Sequence, residues 1–145
     1  MMTFDHLERL AQEWSDLIPS TWPQEGTVAL LRTSRSLFAH SWYDYEFMVV
    51  AALVGFQALE AAFHFLFPDM ASEAPFRRMV DRARSDGILE PKFVDLAGRA
   101  VELRNLLSHP KGAAAFTVGM AGQMLEQTHR LTALVVATGL SRASG

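Results

Sequence analysis

Apolar residues recur every three or four positions along most of this chain, and polar residues fill the positions between them. In the first segment Phe4, Leu7 and Trp14 lie on one side of a helical wheel, and charged residues lie on the other. This spacing matches the 3.6-residue period of an α-helix and predicts an amphipathic helix over residues 3–18. No stretch alternates cleanly at a period of two, as a strand would. The chain is therefore predicted to be all-α.

The same spacing, and the residues that interrupt it, predict five more helices. They cover residues 27–40, 41–67, 75–86, 91–108 and 117–140. Helices of this number and length bury their apolar faces by packing on one another. We therefore predict a single domain over residues 1–145, an up-and-down bundle of four to six helices whose core lies within about residues 27–140.

Several residues mark the ends of these helices. Ser41 followed by Asp44 is typical of a capping box at a helix start, with Asp in the Glu/Gln position. Gly87 is placed as a C-terminal stop, and Pro91 suits the first turn of the next helix. Thr117 is placed to cap the last helix.

The most apolar segment, residues 47–67, is long enough to span a lipid bilayer. It contains Gln57, Glu60 and His64, and a charge near the middle of a span costs about 2.5–3.5 kcal/mol. We therefore interpret it as the buried central helix of a soluble bundle, with no membrane partner. The N-terminus lacks the basic stretch and apolar run of a signal peptide, which favours a cytoplasmic location.

Composition and charge exclude several classes of protein and site. Half of the residues are hydrophobic, which is enough for a core, and the net charge of −3 excludes a generally basic nucleic-acid coat protein. The absence of cysteine excludes a disulfide scaffold, a thiolate zinc site and a cysteine nucleophile. Residues 77–111 nevertheless carry a net +3, which leaves −6 for the rest. This segment suits a polyanionic partner, although solvated helix surface explains much of its charge.

Arg104 interrupts the apolar face of the predicted helix 91–108. At 100° per residue it falls about 20° from Phe93, in the middle of an apolar arc that includes Ala100 and Leu107. An unpaired buried charge costs several kcal/mol, so Arg104 requires an acidic or anionic partner. A structural ion pair within the bundle explains this placement as well as a functional site does.

Gln57, Glu60 and His64 share one arc of the central helix, and Glu60 and His64 are spaced so that they can touch. We expect this polar stripe to meet Arg104. An internal hydrogen-bond network explains the stripe more simply than a catalytic site does. One Glu and one His are too few ligands for a metal, so neither a metal nor another cofactor is expected.

His109 is placed differently from the other histidines. Pro110 follows it and disfavours helical geometry, so His109 is predicted to project from the C-terminal end of the helix. The helix dipole there favours the imidazolium, which suits a group that transfers protons, although a plain capping histidine fits equally. We predict that His6, His40 and His129 lie at the surface or at helix boundaries.

The segment 102–110 resembles the signature of the HEPN superfamily. That signature is an Arg, four to six residues and a His, often with a polar residue directly after the Arg; here these are Arg104, Asn105 and His109. Residues 41–47 and 58–62 also resemble the long helix of bacterial HEPN-like proteins of unknown function. The resemblance covers about residues 30–135 and implies a HEPN-like helical bundle.

The resemblance implies a homodimer in which two Arg–His pairs face each other across a cleft. Active members are metal-independent endoribonucleases in toxin–antitoxin systems, antiviral defence and RNA processing. By this resemblance Arg104 would bind the scissile phosphate of an RNA substrate, expected to be single-stranded, and His109 would act on the 2′-OH or the leaving oxygen. Asn105 would fix phosphate or hold the motif's geometry. The supporting residues would be Glu60, His64, Gln57 and Ser108.

Two features leave other interpretations open. Toxins of this superfamily that are silenced by nucleotidyltransferase antitoxins often carry a tyrosine two residues after the motif His, where this chain has Lys111. Silencing by a nucleotidyltransferase antitoxin is therefore not predicted. The resemblance still predicts an antitoxin or defence-system partner, but it does not specify which kind. Many members are catalytically inactive binding or assembly modules, and a structural bundle would need only an Arg104–Glu60 pair. No aromatic platform for RNA bases is identified, because Trp22, Trp42, Tyr43 and Tyr45 fit a core or an interface equally well.

Overall fold

A computed structural model describes residues 3–18, 25–108 and 117–144 of the chain. Within these ranges the secondary structure is entirely helical, as the periodicity predicts. The helices are α1 (Phe4–Ser15), α2 (Glu25–His40), α3 (Glu46–Leu66), α4 (Phe76–Asp86), α5 (Pro91–Leu107) and α6 (Val118–Ser144). The prediction of an all-α bundle of four to six helices is confirmed.

The central helix of the bundle is α3. It packs mainly against α2 and α6, and it also contacts α4 and α5. Its inward positions alternate between small and large residues, so that Ala52 and Ala58 are fully buried beside Phe56 and Phe63. Among the described residues α3 alone is long and apolar enough to cross a membrane, and 56% of its most apolar window is buried inside the protein. Such burial is typical of the core helix of a soluble bundle.

Gly55 lies where both α2 and α6 pack closely on α3. A Cβ atom at this position would lie 3.1 Å from the Leu125 side chain on α6 and 3.2 Å from the Ser34 hydroxyl on α2. That hydroxyl is buried and donates a hydrogen bond of 2.6 Å to the carbonyl of Ala51. Glycine therefore lets two helices approach α3 at one level, and their approach fixes the two sides of α3 that are covered.

Three of the predicted helix-end residues are confirmed. Pro91 is the first residue of α5. Gly87 ends α4 in the left-handed region, with a φ of 64°, which glycine adopts without the strain of a side chain. The hydroxyl of Thr117 accepts a hydrogen bond of 3.2 Å from the backbone N–H of Met120 at the start of α6. α6 itself continues to Ser144, four residues beyond the predicted end.

The predicted capping box at Ser41 and Asp44 is wrong. The helix α3 begins at Glu46, and residues 41–45 form the connection from α2. The Ser41 hydroxyl is buried and donates to the carbonyl of Phe38, so it closes the end of α2. The Asp44 carboxylate accepts a hydrogen bond from the backbone N–H of Glu46 and so supports the start of α3 by itself.

His129 lies in the core, so the prediction of a surface or boundary position is wrong. Its side chain on α6 is fully buried, and its ring centroid lies 5.7 Å from that of Trp14 on α1. Nδ1 donates a hydrogen bond of 2.7 Å to the carbonyl of Leu125. Burial lowers the pKa of His129 from its usual 6.5 to about 4, and the positive charge of Arg35 contributes in the same direction. The ring is therefore neutral at pH 7.

This burial predicts a loss of stability in mild acid. The unfolded chain binds a proton at His129 near pH 6.5, whereas the folded protein does so only near pH 4, so the free energy of unfolding falls as the pH drops through this window. At pH 4 the loss amounts to about 3 kcal/mol. Urea unfolding of a His129→Gln variant between pH 7 and pH 4 is expected to show a shallower pH dependence than the native protein.

His6, which is partly exposed on α1, supplies the matched control. A His6→Gln variant should retain the pH dependence of the native protein, because no buried neutral ring is removed. Equal slopes for the native and His129→Gln proteins would contradict the assignment.

Candidate functional site

Arg104 and Glu60 form an ion pair between α5 and α3, as the sequence predicts. The Nη1 atom of Arg104 donates a hydrogen bond of 2.5 Å to the Oε2 atom of Glu60. The side chains are 33% and 26% exposed, so the pair is partly buried without being closed off from solvent. The charge on the apolar face of α5 is therefore compensated, and a third of the Arg104 side chain remains exposed.

The position of Arg104 follows from the packing of α5. Val101 and Leu107, three positions before and after Arg104, are buried in the core, so Arg104 starts from the inward side of α5. The guanidinium carbon lies 5.9 Å from the ring centroid of Phe76, a fully buried residue of α4. Sequence reasoning missed Phe76, because only tertiary packing brings α4 to this end of α5.

The other members of the predicted polar stripe do not join this pair. Gln57 is exposed and His64 is partly buried, and neither has a hydrogen bond or an ion pair within the described residues. Glu60 alone reaches Arg104, because α5 contacts α3 on one side only and Gln57 lies on the outer side. The predicted contact is confirmed for Glu60 and is absent for Gln57 and His64.

The last turn of α5 carries two further candidate residues. Asn105 is exposed, with its amide free to contact a ligand. Ser108 ends the helix, and its hydroxyl donates a hydrogen bond of 2.7 Å to the backbone carbonyl of Arg104. Ser108 therefore stabilises the helix end that carries Arg104. His109 and Lys111, which follow in the sequence, lie outside the described residues.

Most of the positive charge of α4 and α5 is neutralised locally. The ion pairs are Arg77–Glu102 (3.8 Å), Arg82–Asp69 (2.8 Å), Arg82–Asp86 (3.4 Å), Arg84–Asp95 (3.0 Å) and Lys92–Glu90 (3.6 Å). Between residues 77 and 108, Arg78 and Arg99 are the two cations without a carboxylate partner in the described part of the chain. The field available to a polyanion is therefore weaker than the net charge of the segment predicts.

Across residues 3–18, 25–108 and 117–144, no group of three or more His, Asp or Glu side chains could hold a metal ion. Comparison of the chain with protein-family models, with curated proteins and with solved structures finds no match. The interpretation of Arg104 therefore depends on the geometry of its own surroundings and on the resemblance of its motif.

The Arg104–Glu60 pair is expected to couple the two helices energetically. In a double-mutant cycle with Arg104→Met and Glu60→Gln, urea unfolding of the four proteins should give a coupling free energy of about 1 kcal/mol or more, since the pair is shielded from solvent on one side.

The Arg77–Glu102 pair, which joins α4 to α5, is the matched control. Its atoms are 3.8 Å apart and its side chains are 47% and 70% exposed. A cycle at this pair is expected to give less than about 0.5 kcal/mol. Equal coupling free energies in the two cycles would contradict the expectation that Arg104–Glu60 is stronger than an exposed surface pair.

Proposed function

We propose that the protein is a metal-independent endoribonuclease of HEPN type that cleaves RNA as a cytoplasmic homodimer. The observation that carries this proposal is the placement of Arg104 at the last turn of α5, five residues before His109 in the sequence. Its guanidinium is bonded to Glu60, and its side chain is 33% exposed. Phosphodiester cleavage by a 2′-OH requires a held cation that the phosphate can reach and a group that transfers protons, for which the sequence offers His109.

The chemistry needs no metal. The 2′ oxygen attacks the adjacent phosphorus, the bond from phosphorus to the 5′ oxygen breaks, and the products are a 2′,3′-cyclic phosphate and a 5′-OH. Negative charge grows on the phosphoryl oxygens during the attack, and Arg104 would stabilise it. His109 would accept the 2′-OH proton or donate a proton to the leaving oxygen. Asn105, exposed beside Arg104, would supply a further donor to phosphate.

Glu60 has a positioning role in this proposal. A guanidinium presents five N–H donors, and the recorded contact with Glu60 engages one of them. The carboxylate would therefore hold the Arg104 head group near α3 while leaving other donors for the non-bridging oxygens. A phosphate that enters the site would share Arg104 with Glu60 and would not need to displace it.

A catalytically inactive binding or assembly module is the second candidate. The observation that favours it is the internal pairing of the basic residues, because Arg104 and most cations of α4 and α5 already have carboxylate partners. In that case the protein would bind its ligand or partner without cleaving RNA. A toxin or phage-defence role, with an antitoxin or defence-system partner, belongs to the first candidate.

Cleavage of single-stranded RNA in excess EDTA tests the first candidate. The native protein should produce 2′,3′-cyclic phosphate ends under these conditions. Arg104→Ala and His109→Ala should each lower the rate by about 100-fold or more, because charge stabilisation and proton transfer each contribute factors of that size.

Arg99→Ala is the control for the loss of a positive charge on the same helix. Arg99 is exposed and has no carboxylate partner in the described residues, so its removal should leave the rate within a few-fold of native. A rate that survives Arg104→Ala and His109→Ala, or that requires a divalent metal, would contradict the proposed chemistry. A folded dimer with no activity on any RNA would favour the binding module.

A further inference from the structure

A cleft of about 280 Å³ lies between α1 and α2, whereas the Arg104–Glu60 pair joins α5 to α3. Residues three positions apart lie on the same face of a helix, so Arg32 and Arg35 line the α2 wall together. We call this space the α1–α2 cleft. The polar residues that line it and matter here are Glu8, Gln12 and Ser15 on α1 and Arg32, Arg35 and Ser36 on α2.

Arg35 carries a positive charge partly into the protein. Its neighbours Leu31 and Phe38 on α2 are fully buried, and Arg35 itself is half-buried. Burial lowers the pKa of Arg35, and the positive charge of Arg32 lowers it further. The guanidinium nevertheless stays protonated at pH 7, because arginine does not lose its proton in proteins. Two positive charges therefore lie close enough to repel each other beside the α1–α2 cleft.

The described residues do not compensate these two charges. Neither Arg32 nor Arg35 forms an ion pair with any carboxylate in the part of the chain that the structure describes. The Nη1 atom of Arg35 is buried and has no hydrogen-bond partner there. His129 is close enough for the charge of Arg35 to lower its pKa, but its ring is neutral at pH 7 and adds no negative charge.

The remaining residues of the chain offer no acidic side chain to these arginines. Residues 1–2, 19–24, 109–116 and 145, which lie outside the described ranges, contain neither Asp nor Glu. An unpaired charge that is partly buried is costly, and the same reasoning predicted an acidic partner for Arg104. Arg104 has that partner within the chain, whereas Arg35 does not. The anion that compensates Arg35 is therefore expected to come from another molecule.

We propose that the α1–α2 cleft binds the phosphate dianion of a small molecule, either free phosphate or a phosphate monoester, between Arg32 and Arg35. Phosphate carries a charge of about −1.5 to −2 at pH 7, so one group neutralises both arginines. Guanidinium groups donate parallel hydrogen bonds that match the spacing of phosphate oxygens. The Ser36 hydroxyl lines the same wall and has no hydrogen-bond partner in the described residues, so it can donate as well.

A single carboxylate fits the α1–α2 cleft less well than phosphate. Glu8 already lines the cleft, yet its carboxylate lies within ion-pair distance of neither arginine. The hydroxyl of Ser15 is also engaged, because it donates a hydrogen bond of 2.6 Å to the carbonyl of Gln12. The two arginines and Ser36 therefore form the recognising side of the cleft, and Glu8 opposes binding from the other side.

The charge of α1 disfavours RNA as the occupant of this cleft. The helix carries Asp5, Glu8 and Glu13 against a single cation, Arg9. These carboxylates would repel a polyanion that extends along the helix, whereas a small phosphate compound contacts only the cleft. A volume of about 280 Å³ is close to the lower end, about 300 Å³, of pockets that bind small molecules. The proposal thus goes beyond the proposed function and does not depend on RNA cleavage.

Thermal unfolding with inorganic phosphate tests the proposal, at an ionic strength held constant with sodium chloride. The Tm of the native protein should rise saturably, by about 3–5 °C at ten times the dissociation constant. Acetate, which carries one charge, should raise the Tm by less than about 1 °C under the same conditions. Glycerol 3-phosphate separates the two sources of the ligand: an equal shift indicates that free phosphate suffices, and a larger shift indicates a phosphate monoester.

Four variants identify the residues that bind phosphate. Arg35→Met keeps the length of the side chain, and it should raise the Tm in phosphate-free buffer and abolish the phosphate-induced shift, because an uncompensated charge is removed. Arg32→Met should weaken phosphate binding about tenfold or more, since a charged hydrogen-bond donor is lost. Glu8→Gln should strengthen binding, because it removes a repulsive charge. Arg9→Met, at an exposed position of α1 outside the cleft, is the matched control and should keep the native response.

Several results would overturn the proposal. These are a native protein whose Tm does not respond to phosphate, an acetate shift as large as the phosphate shift, and an Arg9→Met protein that loses the response as Arg35→Met does. An Arg35→Met protein that unfolds at a lower temperature in phosphate-free buffer would show that the chain itself compensates the charge. If Arg35→Met does not fold, Arg32→Met and Glu8→Gln still decide the question, because they must change phosphate affinity in opposite directions. A protein that binds phosphate here and cleaves no RNA would refute the proposed function alone.

Discussion

The structure depends on the burial of α3. Its 21 residues are apolar except for two glutamates, one glutamine and one histidine. Burial of a large apolar side chain contributes about 1.5–3 kcal/mol, and Phe56, Leu59 and Phe63 on this helix are all fully buried. The helices α2, α4, α5 and α6 cover it, and α1 in turn packs on α2 and α6. The need to bury α3 thus determines where the other helices lie.

The candidate site is a consequence of how α5 meets that central helix. A carboxylate on α3 is tolerated because Arg104 reaches it, and an arginine on the apolar side of α5 is tolerated because Glu60 is there. Full burial of such a pair would cost more desolvation free energy than it recovers. Partial exposure avoids most of that cost and leaves the guanidinium open to an anion. A structural ion pair and a phosphate site are therefore compatible at the same position.

The sequence predicted what local rules determine. Gly87 ends α4 because glycine adopts the left-handed conformation, and Arg104 was expected to find an acid because an unpaired charge on an apolar face is costly. Ser41 was assigned to the wrong helix, because its hydroxyl can bond to the end of α2 as well as to the start of α3. His129 was placed at the surface, since the burial of a histidine depends on which helices pack over it.

Contacts between helices could not be predicted from local sequence, because they also depend on which helices pack together. The position of Phe76 beside Arg104, and the ion pairs that neutralise the basic residues of α4 and α5, become visible only once the helices are packed. The exposure of Gln57 is a further example, because periodicity places it with Glu60 but does not show that α5 covers one of them and not the other. What the sequence did indicate is that α3 has too many apolar residues to be solvated.

The central claim is the proposal that two copies of the chain act together on RNA through their Arg104–Glu60 pairs. The most direct measurement is the rate of RNA cleavage per protomer over a dilution series in which the dimer fraction is followed by analytical ultracentrifugation. The account predicts that the rate per protomer falls in proportion to the dimer fraction as the protein is diluted. A rate per protomer that stays constant while the dimer dissociates, or a dimer that never cleaves, would contradict it.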